Sequence, residues 1–558
     1  MDARSWIWLV VTASFAGYLA LLVEARARSA GTFYRPVRAV RPLAAGVAVA
    51  SSWISAASYL SLGGAMALSG PDGGVYALGW IAGFALLALL VTPYLRRTGR
   101  HTIAQLVLER FGSPAAGVAA VACTALVTFT YLSAQIRGAA IVLSRMAPVA
   151  LPVAVGAALL VVLGYTALGR LRTITFGQVA QYAVLAGAFA VLSAALLGAL
   201  TGAAIPQLAP WARLGARGAA LLGEPPGRPL GQAADHLGAA LGFAPLAASR
   251  RGPADLAASA LALMAGTAAL PHIVSRFLAM SRAREARTSA AWALAFIALF
   301  YSAVPAVALA ARAALFARAA APGARAAAGP LAGWSASGLV AAGGTGGAAA
   351  VLLPVPGGGA PLSVDPDVLV LAAPELLDLP PWVVAVAAAG ALAAAVSAAA
   401  GLAISLGAAA ARDLLKGILS PRLPERVELR VSRLAAAGLT AVAAWLALHP
   451  PGTVVQTVGL AFGLAAAAFF PALLAAAFWR RATGAGVLCG MTAGALFTIG
   501  YVHWFRFLHP ELDGPAHWWL GISPEGIGAV GALFGGLVLL AVSLATPAPA
   551  SAPPASTP

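Results

Sequence analysis

Charge is scarce in this 558-residue chain: 9% of the residues are Asp, Glu, Lys or Arg, while 61% are hydrophobic and the mean hydropathy is +0.88. A soluble fold of this length cannot hide so much apolar surface, so the composition points to a polytopic membrane protein. Acid is the scarcer sign, 18 Asp and Glu against 35 Lys and Arg, for a net charge of +17. That excess does not imply a nucleic-acid partner, because most basic residues fall in six connecting segments: 24–42, 96–110, Arg170 with Arg172, 276–287, 412–433, and Arg480 with Arg481. They recur at every second connection, the pattern of cytoplasmic loops, and the partner they imply is the lipid bilayer. Only two cysteines are present, Cys123 and Cys489, far apart in apolar stretches. This excludes a disulfide framework and any cysteine-based metal site. No Ser/His/Asp set or carboxylate pair suggests an enzyme, and no cofactor is implied. The glycine runs Gly343–Gly347 and Gly357–Gly359 follow no strand and precede no Gly-Lys-Ser/Thr, so they read as flexible loop rather than a phosphate cradle.

What is present is a series of long apolar runs. Bounded by charge, Pro or Gly, they predict an all-α integral membrane protein with about thirteen transmembrane helices: 6–23, 43–69, 73–95, 115–146, 149–168, 174–201, 254–278, 289–316, 380–411, 431–448, 453–479, 485–508 and 524–545. The arginines follow the first run rather than precede it, so it reads as a retained helix and not a cleaved signal. An odd number of spans in the cell membrane, plasma or inner, puts the N-terminus outside and the C-terminus in the cytoplasm. Residues 1–42 then form an extra helix with a cytoplasmic loop, and 202–253 and 317–379 are long outside loops. Residues 480–546 are two final helices, and 547–558 is a disordered tail rich in Pro, Ala and Ser. The segment 100–111 reads as a short cytoplasmic surface helix.

Two five-helix blocks remain, 43–201 and 254–479. Each opens with a helix interrupted by polar or small residues. The first carries Ser51, Ser52, Ser55 and Ser58 at its centre. The second carries Gly266-Thr267-Ala268-Ala269-Leu270-Pro271-His272, where proline should break the helix near Gly266–Thr267. Five is odd, so the blocks insert with opposite orientation. Paired interrupted helices in inverted halves point to a transporter's binding site.

Several stretches carry a family resemblance: Ser52–Ser58 (SWISAAS), Gly266–His272 (GTAALPH) followed by Arg276-Phe277, Pro374–Pro381 (PELLDLPP), Gly459–Pro471 (GLAFGLAAAAFFP) and Gly521–Gly526 (GISPEG). They resemble the sodium:solute symporter family over nearly the whole chain, in its acetate-permease-like branch, the larger subfamily with an extended outside loop. The resemblance implies an inverted 5+5 repeat core like that of the leucine transporter, and cation-coupled uptake of a short monocarboxylate such as acetate. It implies a sodium site built from the backbone oxygens of Ser51, Ile54 and Ala394 and the hydroxyl of Ser397. Two positions depart from the family pattern. Ala398 stands where a second hydroxyl is usual, and Ser52 where close relatives commonly have Asp.

The residues read as facing the substrate are Ser55, Gln135, Arg137, Thr267 and His272. Arg137 has two readings: a guanidinium fork for the substrate carboxylate, or a side chain that snorkels to the outer interface or caps helix carbonyls. His272 likewise reads as a substrate or gating contact, or as a packed histidine bonding a freed carbonyl. Proton coupling and uncoupled facilitation are the alternatives to sodium. For the proton, no Asp or Glu is seen in the core helices near the site, which leaves His272 as the titratable candidate. A non-transporting membrane sensor is the alternative from another class, disfavoured because no signalling domain follows 524–545. A small membrane subunit as a further partner is left open.

Overall fold

A computed structural model of the chain describes residues 2–27, 41–92, 102–168, 171–278, 283–321, 329, 331–343, 350–355 and 359–548. The expectations for the basic loop within 28–40 and for the tail beyond 548 lie outside these residues. In chain order the helices are α1 (Ala3–Ala27), α2 (Pro42–Trp53), α3 (Leu62–Ser69), α4 (Pro71–Leu86), α5 (Ile103–Phe111), α6 (Pro114–Met146), α7 (Leu151–Leu168), α8 (Leu171–Thr201), α9 (Ala216–Leu222) and α10 (Leu230–Ala240). They continue with α11 (Pro253–Ala268), α12 (Pro271–Leu278), α13 (Ala283–Ala320), α14 (Leu369–Leu376), α15 (Pro381–Ala408), α16 (Glu425–Leu448), α17 (Val454–Phe478), α18 (Gly484–His503) and α19 (Ile527–Ala545).

Among the described residues, nine helices are long and apolar enough to cross a membrane, and eleven if each of two bent pairs counts as one span. The expected thirteen is therefore not reached by this measure: α7 falls among the shorter apolar helices, and α1 does not qualify. The bent pairs stand where the sequence placed the interrupted helices. Between α2 and α3 the chain turns by 68°, through an extended Ile54 (ψ 96°) and a π-helical turn, Ala57–Ser61. Between α11 and α12 it turns by 43°. The second break falls at Ala269–Leu270, later than the expected Gly266–Thr267. Pro271 does not interrupt the preceding turn. It opens the next helix, where its missing N–H costs nothing.

Helix α15 is the most deeply buried span and packs against α8, α6, α1 and α16. Nearly half of its residues are Ala, which lets neighbouring backbones approach closely in the absence of a strong hydrophobic drive between helices. Helix α11 lies between α4 and α17, and α13 runs along α2. Gly266 shows how tight this is: a Cβ there would fall 2.0 Å from the Phe462 carbonyl oxygen of α17.

The connection 317–379, expected as a long outside loop, carries regular structure, while the glycine runs read as flexible loop lie outside the described residues apart from Gly343 and Gly359. Strands β1 (Val340–Ala342), β2 (Val351–Val355) and β3 (Gly359–Val364) form an antiparallel sheet of order β1-β3-β2. The chain then dips into the helical core through Pro366–Val368 and α14, almost all of it buried. The helical class holds, with this small sheet as an addition in the connection. Val368, Leu369, Val370 and Leu371 supply the buried apolar side chains that make this descent favourable. The short helix α5 matches the surface helix read at 100–111, with Thr102 Oγ1 accepting from Gln105 N to cap it.

Candidate substrate and cation site

Breaking α2 frees backbone groups in a region without bulk water, and the structure shows how two of them are met. Gln135 of α6 reaches across to accept the Ala56 N–H with its side-chain oxygen at 2.9 Å. Ser397 of α15 donates its hydroxyl to the Ser51 carbonyl at 2.6 Å and approaches the Ala394 carbonyl at 3.2 Å. All of these groups are fully buried. Ser51, Ala394 and Ser397 are thus brought together; Ile54, three residues past Ser51, has its N–H bonded to the Ala50 carbonyl at 2.8 Å. A hard monovalent cation seeks such neutral oxygens, so the donor set fits one. The Ser397 carbonyl accepts from Gln178 Nε2 at 3.2 Å, and Gln178 in turn accepts from Arg276 Nη1 at 2.9 Å. Ser52 does not face this group. Its hydroxyl turns back to the Ala48 carbonyl of its own helix at 3.0 Å. Ala398 is buried and adds no oxygen.

The two breaks meet around an aromatic group that the sequence reading did not single out. Phe462 of α17 lies 5.8 Å from the Trp53 ring, 5.7 Å from Trp80 and 5.7 Å from Tyr131. Tyr131 is also 5.5 Å from the His272 ring, edge to face. His272 is therefore a packed ring at the second break. Ser55 lies beside the Tyr131 phenol without meeting hydrogen-bond geometry. Among the described residues, Ser55 Oγ, Thr267 Oγ1, His272 Nδ1 and Gln135 Nε2 are buried and have no hydrogen-bond partner. They are four of nineteen such side-chain atoms among the described residues, and all four lie on the helices that carry the two breaks or on α6 beside them. The aromatics were legible only as hydrophobic residues. Their convergence depends on the packing of α2, α4, α6 and α17.

Arg137 corrects both of its readings. It neither reaches for the interface nor caps a helix. Its Nη2 makes a 2.9 Å salt bridge to Asp365, and it is also close to Asp367. It is already paired and not available to a substrate carboxylate in this structure. The two carboxylates come from the 317–379 connection and not from a core helix, so the expectation of no Asp or Glu in the core helices near the site is not altered by them.

Paired broken helices and a buried small-residue helix facing one break are the architecture of a membrane transporter. The comparisons with known proteins agree. The sodium:solute symporter family model matches residues 33–353 and 364–494, and the chain belongs to that family. An uncharacterised symporter of Cupriavidus necator is 29% identical, with 97% of this chain and 91% of that protein covered. A monocarboxylic acid transporter of Corynebacterium glutamicum is 28% identical over 84% of this chain and 77% of its own length. The structure of a sodium-coupled sialic acid symporter, substrate-bound and outward-open, superposes with a TM-score of 0.67 at 14% identity, covering 97% of this chain and 98% of that one. This likeness identifies the fold, an inverted-repeat helical core. The protein is a multi-pass membrane symporter that couples a small solute to a cation.

Proposed function

We propose that the protein takes up a short monocarboxylate, with acetate the first candidate, by alternating access driven by a sodium gradient. The observation that supports the reading is the gathering of the Ser51, Ala394 and Ser397 oxygens at the first break, together with unpartnered polar atoms on Ser55, Gln135, Thr267 and His272. With Arg137 engaged elsewhere, the carboxylate would be met by these neutral donors, and its charge balanced by the sodium held at Ser51, Ile54, Ala394 and Ser397. A methyl or ethyl tail would lie against Tyr131, Phe462 and Trp53. The monocarboxylate class rests on the Corynebacterium glutamicum relative, a monocarboxylic acid transporter. The long connections 202–253 and 317–379 would face outside, with the N-terminus outside and the C-terminus in the cytoplasm.

The test is labelled acetate uptake into proteoliposomes under an imposed sodium gradient, a proton gradient or none. Sodium-driven accumulation is expected, and Ser397→Ala should abolish the sodium dependence while leaving the helix intact, because its neighbours are already alanine. Uptake indifferent to sodium in the wild type would remove the sodium assignment. Absence of competition by any short monocarboxylate would remove the substrate class.

A further inference from the structure

At the far end of the turn that follows the first break, the structure buries a second polar cluster that the transport reading does not use. Asp365 and Asp367 flank Pro366 where the 317–379 connection enters the core, and both are wholly inaccessible. Arg137 of α6 is 5% exposed, with Nη2 2.9 Å from Asp365 Oδ2 and Nε 3.9 Å from Asp367 Oδ2. That Nε has no hydrogen-bond partner among the described residues. Ser61, at the end of the π-helical turn, donates its hydroxyl to Asp367 Oδ1 and accepts the Val455 N–H at 2.8 Å. Asp367 Oδ2 accepts the Val454 N–H at 3.0 Å, and Asp365 Oδ1 accepts the Asp367 N–H at 2.9 Å.

Two carboxylates share one guanidinium, so with both ionised the cluster holds one uncompensated negative charge in a dry place. Among the described residues, the elements packed around it supply no second cation. Helix α3, the turn Ala57–Ser61, strand β3 and α17 contain no charged residue, and Tyr59 of the turn offers only a neutral phenol. On α14, Glu375 pairs with Arg145 of α6, so that pair is neutral by itself. The amides of Val454 and Val455 at the start of α17 favour an anion, but by a fraction of a charge. Burying a whole unpaired charge costs several kcal/mol, and two carboxylates at close range do not both ionise readily.

We propose that Asp365 and Asp367, held by Arg137 and Ser61, form a binding site for one proton, which enters from water on the side of the 317–379 connection. The proton adds to one carboxylate oxygen of the pair and takes the cluster from one net negative charge to neutrality. No other bond is made or broken. Burial first, and then the charge of Asp365, push the Asp367 carboxyl above the ordinary carboxylate range, against Arg137 and its hydrogen bonds to Ser61 and Val454. If the connection lifts from the core, Asp367 meets water and returns to about 3.9. The seated connection is therefore favoured fully below that value, and this stabilisation is lost as pH rises through the raised pKa of the seated form. Because α6, the turn after the first break, the start of α17 and the connection all meet here, proton occupancy would bias whether the connection stays seated.

The test needs no substrate, so its failure is distinct from failure of the monocarboxylate reading. Infrared difference spectra of the full-length protein in lipid, recorded across pH in sodium-free buffer, report a protonated carboxyl directly by its C=O band. The wild type should show a band that titrates away as pH rises, and Asp367→Asn should remove it. Asp365→Asn, which removes the like charge, should lower the midpoint by ~1 pH unit. Ser61→Ala, which removes a donor to the ionised form, should raise it. These two keep the test standing should Asp367→Asn fail to fold. A wild type without a titrating carboxyl band overturns the proposal. So does a midpoint unmoved in both variants.

Discussion

At the scale of single residues, the most consequential side chain is Gln135. Its oxygen satisfies the Ala56 N–H that the first break exposes, from 79 positions away in the chain. An unsatisfied buried amide costs about 1–3 kcal/mol. Gln135→Met, which keeps the length and removes the acceptor, should destabilise the purified protein by that amount in a thermal melt. A melt unchanged within ~0.5 kcal/mol, the scatter of a neutral surface change, would mean that the break does not rely on this bond. Arg137, two residues on, shows the limit of reading polar residues one at a time. An arginine inside an apolar run signals an interior partner. The sequence could not say that the partners are Asp365 and Asp367, 228 and 230 residues later, because only the fold of the connection brings them there.

At the scale of elements, the bends carry most of what was readable. Ser51–Ser58 and Gly266–His272 announced two interrupted helices, and both are bent. The exact break at Ala269–Leu270 was not readable, since proline terminates one helix and opens the next equally well. The order in the connection is not legible in sequence, because its alanine and glycine runs resemble linker. Its strand pairing and the apolar Val368–Leu371 show their purpose only once α3 is beside them. Here Gly64 is decisive: a Cβ would come 1.9 Å from the Pro366 carbonyl oxygen, so glycine alone lets the Asp365-Pro366-Asp367 turn rest on α3. Overpacking of this kind costs about 1–3 kcal/mol. Gly64→Ala should loosen the connection, seen as faster hydrogen exchange over 359–376 than over α15. Equal protection in variant and wild type would show that α3 yields instead.

At the scale of the whole molecule, the second bent helix is tied to the C-terminal pair. Arg251 donates to Asp255 at 2.5 Å, Ser259 at 2.6 Å and Ser523 at 2.7 Å. Ser523 returns two bonds to Asp255 through its amide and hydroxyl, at 2.9 and 2.6 Å. The stretch Gly521–Gly526, noticed in sequence as a motif, thus has a physical role as the clasp on the end of α11. Breaking a buried pair by removing one partner costs about 3–5 kcal/mol, so Arg251→Ala should lower the melting temperature sharply. The exposed Arg213→Ala, whose Nη1 reaches only the Gly227 carbonyl, should leave it nearly unchanged. A similar drop in both variants would remove the clasp.

The descent of the 317–379 connection into the core also has a consequence for how this lineage can vary. An arginine on α6 without the two aspartates would be an unpaired buried cation, and the aspartates without the arginine would be a still costlier pair of anions. Arginine at 137 and acid at 365 and 367 should therefore be gained and lost together among relatives. Relatives with a shortened connection should carry a small or neutral residue at the position of Arg137. Family members that keep the arginine while lacking both acids would show that another element has taken over its charge.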